Sequence, residues 1–251
     1  MRAIKDIFYI DEQHLEQKLD LFMPEYSFDT VFIYFHGGGL VNGNKKRKES
    51  FINDLINNGI ALVSVDYRMY PTAKYPDFIY DAAASVGWVC NNIGKYSDCK
   101  NIFVGGSSAG GYLSMMLCFA NEYYEKFGVD KSKITGYIHD AGQPTSHFNV
   151  LNEKGIERRR VIVDETAPLY HIEADKNYPD MLFIVSDNDM KNRYEQTILT
   201  LSTLEHMGYK EKCTLKIMNG THCAYCNKED EVGNSVFAAI INEYINKVIK
   251  R

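Results

Sequence analysis

A chain of 251 residues with 45% hydrophobic and 24% charged residues is long enough to bury the core of one large α/β domain. The net charge of −5 and the shortness of the basic runs at 45–48 and 158–160, both read as solvated surface, exclude a nucleic-acid-binding protein. No apolar run approaches the roughly 18 residues of a membrane span, and the start, MRAIKDIFYIDEQ, lacks an export signal, so a cytoplasmic chain with reduced cysteines and no membrane partner is expected.

In chain order, residues 3–11 and 16–24 read as two strands, the second ended by Pro24. TVFIYF at 30–35 is an apolar, β-branched and aromatic run expected of a strand buried on both faces. Residues 50–58 place Phe51, Ile52, Leu55 and Ile56 on one helical face, and Gly59 supplies a stop. IALVSVDY at 60–67 is the next buried strand, followed by a helix over 77–93. A strand at 101–106 leads into a helix over 109–127, and three more strands are expected at 134–142, 180–187 and 212–220. Helices over 192–207 and 231–250 follow the last two strands. Alternating strands and helices predict an α/β fold, a mostly parallel sheet covered on both faces, in a single domain over 1–251. Residues 143–180 break the alternation and read as a small lid insertion carrying Phe148, Tyr170 and the three arginines at 158–160.

Within NIFVGGSSAGG at 101–111, G-x-S-x-G fits one frame, with Ser108 as the candidate nucleophile and Ser107 as filler. A sharp strand-to-helix turn would push the Ser108 hydroxyl out of the sheet, and small residues two before and two after let strand and helix approach. The helix N-terminus then aims N–H groups at any oxyanion formed there. HGGG at 36–39 directly follows an earlier strand, where consecutive glycines let backbone N–H groups face a ligand. The N–H groups of Gly37, Gly38 and Ala109 are the candidate oxyanion hole.

HGGG, then DYRMYP with KYPDFIYD over 66–81, then GGSSAGG, in this order, resembles the hormone-sensitive-lipase-like esterase branch of the α/β-hydrolases. The resemblance spans nearly the whole chain. It implies an α/β-hydrolase fold, a Ser-His-Asp triad and no cofactor. Two departures stand out: Ser107 replaces the usual acid before the nucleophile, and only 35 residues precede His36, too few for the branch's N-terminal helical cap. Asp66, Tyr67, Arg68 and Asp81 match positions that tie loops together in that branch.

In this fold the acid and the histidine follow the serine, each after a later strand. His14 and His36 precede Ser108, His139 ends a strand, His147 and His171 fall in the insertion, and His206 lies on a helix. His222, in the short loop after the last strand, is the candidate base. Asp187, Asp189 and Asp140 all stand at strand ends as candidate acids, and the pattern of the resembling branch maps onto Asp189. Cys223 and Cys226 form a CxxC beside His222, but no second ligand pair stands at zinc-site spacing, so no metal is expected. The expected reaction is hydrolysis of short-chain, acetyl-type esters of small molecules through an acyl-enzyme. An arylformamidase-like amide hydrolase is the alternative. A binding protein resembling the gibberellin receptors is disfavoured because His222 is kept, and a prolyl-oligopeptidase-like peptidase because the length leaves no room for a propeller.

Overall fold

The computed structural model describes residues 1–11 and 14–250. Its centre is an eight-stranded sheet: β1 (Arg2–Phe8), β2 (Lys18–Met23), β3 (Thr30–Phe35), β4 (Ile60–Val65), β5 (Asn101–Ser107), β6 (Ile134–Asp140), β7 (Asp180–Ser186) and β8 (Cys213–Met218). The spatial order is β1-β2-β4-β3-β5-β6-β7-β8, with β1 and β2 antiparallel and all strands from β4 to β8 parallel. This is the α/β-hydrolase arrangement. It carries the helices α1 (Glu49–Asn57), α2 (Asp77–Asn92), α3 (Ala109–Phe119), α4 (Glu122–Glu125), α5 (Phe148–Glu153), α6 (Arg193–His206) and α7 (Val236–Ile249).

Why the middle strands lie where they do follows from their composition. Every residue of β3 and β4 is buried, because helices cover both faces of the sheet. One cluster packs α2 and α3 against one face, centred on Val31, Ile33, Val63, Val104 and Leu113. A second packs α1 and α7 against the other, through Phe32, Leu62, Phe103, Phe51 and Phe237. α1 presents Phe51, Ile52, Leu55 and Ile56 inward, and Gly59 follows it with φ +79°.

Three elements depart from their sequence expectations. The first strand stops at Phe8 instead of 11, after a register shift between Ile4 and Ile7. The helix expected over 109–127 ends at Phe119: Ala120 is extended, and the chain re-enters a helix only at Glu122. Lys131 Nζ donates to Cys118 O (2.9 Å) and Asn121 Oδ1 (2.6 Å), which satisfies a carbonyl at the buried end of α3. The last helix begins at Val236 rather than 231, capped by Ser235 Oγ accepting from Ala238 N (3.2 Å).

The run at 45–48 is the solvated surface expected from sequence at Lys46 and Lys48 but not at Lys45. Lys45 is buried and its ammonium meets Asp6 and Asp20, each at 2.9 Å. Asp66 accepts from Lys45 N (2.6 Å), and the buried Asp81 takes Arg68 at 2.8 and 2.9 Å and Gln17 at 2.7 Å. These ties fix the chain entering and leaving β4, beside the loop that follows β3.

Candidate active site

Ser108 stands between β5 and α3 with φ 56° and ψ −110°, a conformation sparsely populated by non-glycine residues. The turn is held because strand and helix meet with no space to spare. A Cβ on Gly106 would lie 2.5 Å from Phe35 O, and one on Gly110 would lie 2.0 Å from the same oxygen. Ser108 N donates to Asp140 O (2.7 Å) and Tyr112 N donates to Ser108 O (3.0 Å), so the backbone is pinned on both sides. Strain of about 1–3 kcal/mol is thereby tolerated to project one hydroxyl.

That hydroxyl meets His222 Nε2 at 2.8 Å, and His222 Nδ1 meets Asp189 Oδ1 at 2.5 Å. His222 comes from the loop after β8 and Asp189 from the loop after β7. Asp189 is itself oriented by Met190 N (2.7 Å, to Oδ1) and Ser186 N (3.2 Å, to Oδ2). Burial raises the Asp189 pKa, but the hydrogen bond and charge of His222 outweigh it and hold the carboxyl below its ordinary value. Burial pulls His222 down, yet Asp189 and Cys223 more than offset it and lift the imidazole to about 9.

The two other candidate acids are engaged elsewhere. Asp187 Oδ1 accepts from Gly220 N (2.9 Å), which ties the β7 and β8 loops together. Asp140, fully buried, accepts from Tyr225 OH and from Cys226 Sγ (3.2 Å), and burial pushes its carboxyl up. Of the remaining histidines, His139 lies buried against Ser114 Oγ (2.8 Å), His147 caps α5, and His171 faces Glu165 O (2.9 Å). His206 ends α6, and His14 Nδ1 accepts from Glu16 N (3.2 Å).

The loop after β3 runs alongside the serine. A Cβ on Gly37 would come within 3.2 Å of Ser108 Cβ, and Gly38, at φ +122°, closes a turn so tight that a Cβ would sit 1.7 Å from Asn42 O. Gly38 O accepts from Val41 N (3.2 Å) and Asn42 N (3.1 Å). His36 is buried, stacks on Tyr67 at 4.4 Å and turns Nδ1 to Gly37 O (2.7 Å), while Tyr67 OH donates to His36 O (2.8 Å). Burial lowers the His36 pKa to about 4, so at neutral pH it is a fixed, uncharged brace. Ala109 opens α3, and its N–H is among the first-turn donors that have no intrahelical acceptor.

A cavity of about 560 Å³ opens over Ser108 and His222, walled by Gly37, Gly38, Tyr34, Arg47, Phe148 and Met190 among others. Residues 143–180 contribute Phe148, Asn149 and Arg158 to it, and Asn149 Nδ2 donates to Gly39 O. Tyr170, expected over the site, is instead 59% exposed and takes no part in the wall. Arg47, expected on solvated surface, joins Tyr34 and Asn149 in the wall because strand side-chain direction and loop closure, not motif, bring them here. Ser107 is more than filler: its Oγ accepts from Tyr34 OH (2.8 Å) and faces Cys226 Sγ (3.6 Å). Among the described residues, the one group able to offer three metal-binding atoms is Asp140, Cys223 and Cys226, whose ligand atoms lie within 4.8 Å of one another. The Cys226 thiol is held up by burial and by its hydrogen bond to Cys223, whose own thiol is lowered.

Comparison with known proteins gives the family. The chain is 30% identical over 142 residues to a probable isoprenylcysteine alpha-carbonyl methylesterase ICMEL2 of Arabidopsis thaliana, covering 55% of this chain and 34% of that protein. It is 35% identical over 96 residues to Esterase LipI of Mycobacterium tuberculosis, 38% of this chain and 30% of that protein. The chain thus spans about a third of the length of these curated relatives. Among solved structures, a truncated carbohydrate esterase from gut microbiota superposes with a TM-score of 0.81 at 19% identity, covering 100% of this chain and 97% of that one. The esterase Est2 of Thermogutta terrifontis, with propionate bound, gives 0.74 at 18% identity over 98% and 94% of the two chains. These superpositions establish the α/β-hydrolase fold, and the family profile of BD-FAE matches residues 19–204. The chain belongs to the BD-FAE family of α/β-hydrolases.

Proposed function

We propose that this chain is a serine carboxylesterase that hydrolyses short-chain, acetyl-type esters of small molecules. The observation that carries the reading is the continuous relay from Asp189 through His222 to Ser108, opening on a cavity flanked by the glycines after β3. His222 takes the Ser108 proton as the hydroxyl attacks the acyl carbonyl, and Asp189 orients the imidazole and stabilises its cation. The N–H groups of Gly37, Gly38 and Ala109 receive the oxyanion. The protonated His222 then hands its proton to the departing alcohol, and water repeats the sequence on the acyl-enzyme. No step needs a cofactor. A cavity of about 560 Å³ lies within the range of small-molecule sites, and Phe148, Met190 and Val41 give it an apolar lining suited to a short acyl group. Relatives named as esterases support the same reaction class.

Hydrolysis of p-nitrophenyl esters from acetate to decanoate tests the reading. Turnover is expected to fall steeply beyond butyrate. Efficient cleavage of N-formylkynurenine with negligible turnover of every ester would transfer the assignment to an arylformamidase-like amide hydrolase.

A pH profile supplies a second check. The base must be uncharged to accept a proton, and His222 is raised to about 9, so it is mostly protonated at neutral pH. kcat/KM for p-nitrophenyl acetate should therefore climb with pH through the alkaline range. Cys223→Ala, which removes one of the groups holding the imidazole up, should move that limb to lower pH. A limb that stays in place in Cys223→Ala would show that Cys223 does not hold the imidazole up.

A further inference from the structure

The cavity over Ser108 adjoins a second of about 480 Å³, and the two share Phe148, Arg158 and Met190. The second lies between residues 158–160 and the start of α6, where Lys191, Asn192 and Arg193 enter the helix. Among the described residues no aspartate or glutamate lines either cavity, whereas Arg47, Arg158, Arg159, Arg160, Lys191 and Arg193 all do. In a chain with 33 acidic and 28 basic residues, such one-sidedness runs against the composition.

How these cations are partnered sharpens the point. Arg159 pairs with Glu157 at 3.0 Å, but among the described residues Arg158, Arg160 and Lys191 have no ion pair. Arg158 rests its guanidinium 5.0 Å from the centre of the Phe148 ring, poised between the two cavities. Arg193 is buried, and its guanidinium donates to Ala141 O and Gln143 Oε1 (3.4 Å), both uncharged. Burial lowers its pKa to about 10, with Asp189 the nearest charge opposing that, so the group stays cationic at neutral pH. Arg47 Nε, in the wall of the cavity over Ser108, is buried with no acceptor among the described residues. The acid in the first turn of α6, Glu195, is outside the lining, and the helix has no side-chain cap on its N-terminal N–H groups. Arg158, Arg160 and Lys191 are exposed at the mouth and Arg193 is buried beneath, and a cleft lined by one sign of charge focuses field on whatever enters it.

We infer that the site is built for an ester bearing an oxyanionic group, a carboxylate or a phosphate, which the groove between Arg158, Arg160 and the start of α6 receives while the acyl carbonyl lies at Ser108. Guanidinium groups match both planar carboxylate and phosphate oxygens in paired hydrogen bonds. The inference rests on the esterase reading and adds the charge of the substrate. Because the cations lie away from the reacting carbon, their contribution falls on KM rather than kcat.

Three matched pairs of esters test this: 4-nitrophenyl hydrogen glutarate against its methyl ester, 4-acetoxybenzoate against its methyl ester, and 4-acetoxyphenyl phosphate against its dimethyl ester. The first pair carries charge on the acyl side. The other two carry it on the leaving group and distinguish carboxylate from phosphate. At low ionic strength, the anionic member of at least one pair should exceed its neutral partner about tenfold or more in kcat/KM, chiefly through KM. Added salt at about 0.5 M shrinks the Debye length to a few ångströms and should bring that ratio towards one in the wild type. The double variant Arg158→Gln, Arg160→Gln should do the same at low salt. An anionic-to-neutral ratio at or below one in all three pairs would overturn the inference, as would a preference that survives both salt and the double variant. If the wild type turns over no member of any pair, the esterase reading fails first and the charge assignment falls with it.

Discussion

Ser108→Ala is expected to lower kcat for p-nitrophenyl acetate on the order of 10⁶-fold, the loss typical of removing an activated serine nucleophile. The size follows from the role proposed for the hydroxyl: it forms the new bond, and His222 Nε2 lies 2.8 Å from it. Alanine meets the same backbone strain at φ 56° that serine does, so the elbow should persist and the melting temperature should shift little. Activity and thermal unfolding measured on the same sample therefore separate a lost nucleophile from a lost fold. Residual turnover above about 1% of the wild type, in a folded variant, would mean that another group attacks the ester.

The second large effect distinguishes two aspartates two residues apart. Asp189→Asn should cost roughly 10⁴-fold in kcat, because an amide cannot hold the imidazole in the tautomer that accepts from serine, nor stabilise its cation. Asp187→Asn should cost less than about tenfold, since the amide oxygen can still accept from Gly220 N and keep the loop in place. Measured side by side on one substrate, the two variants exchange rank only if the acid is Asp187. Asp140→Asn is a harsher change than its distance from His222 suggests, because Tyr225 OH and Cys226 Sγ both point at the buried carboxyl.

Much of this site is written in short stretches where one local constraint dominates. TVFIYF and IALVSV can only be strands buried on both faces, and β3 and the core of β4 lie where their composition puts them. The elbow is legible because Gly106 and Gly110, which Phe35 O of β3 leaves no room to substitute, fall two residues either side of Ser108 and so show as a short motif. Sequence was less informative wherever the decisive partner is remote. Lys45 reads as a surface lysine until Asp6 and Asp20 close on it from β1 and β2. Nothing within 109–127 announces the break at Ala120, because the cation that satisfies Cys118 O, Lys131, comes from beyond the helix. Tyr34 reads only as a strand residue and Arg47 only as surface charge for the same reason: each reaches the cavity through the fold, and Arg47 lies 5.2 Å from the Tyr34 ring.

The order of the strands has one more consequence. β5, which delivers Ser108, and β8, which delivers His222, stand three places apart in the sheet, roughly 14 Å at ordinary strand spacing. The imidazole nevertheless touches the serine, so the loop after β8 must cantilever back across the ends of β7 and β6. Its support beneath joins apolar packing of Tyr225 near Phe237, with the rings 6.1 Å apart, to a polar strut: Tyr225 and Cys226 braced on Asp140 at the tip of β6, with Ser186 Oγ donating to Thr221 O (2.8 Å) from β7. His222 therefore takes its place from groups on three neighbouring strands, while Ser108, locked between two glycines and a strand, takes its place from its own turn.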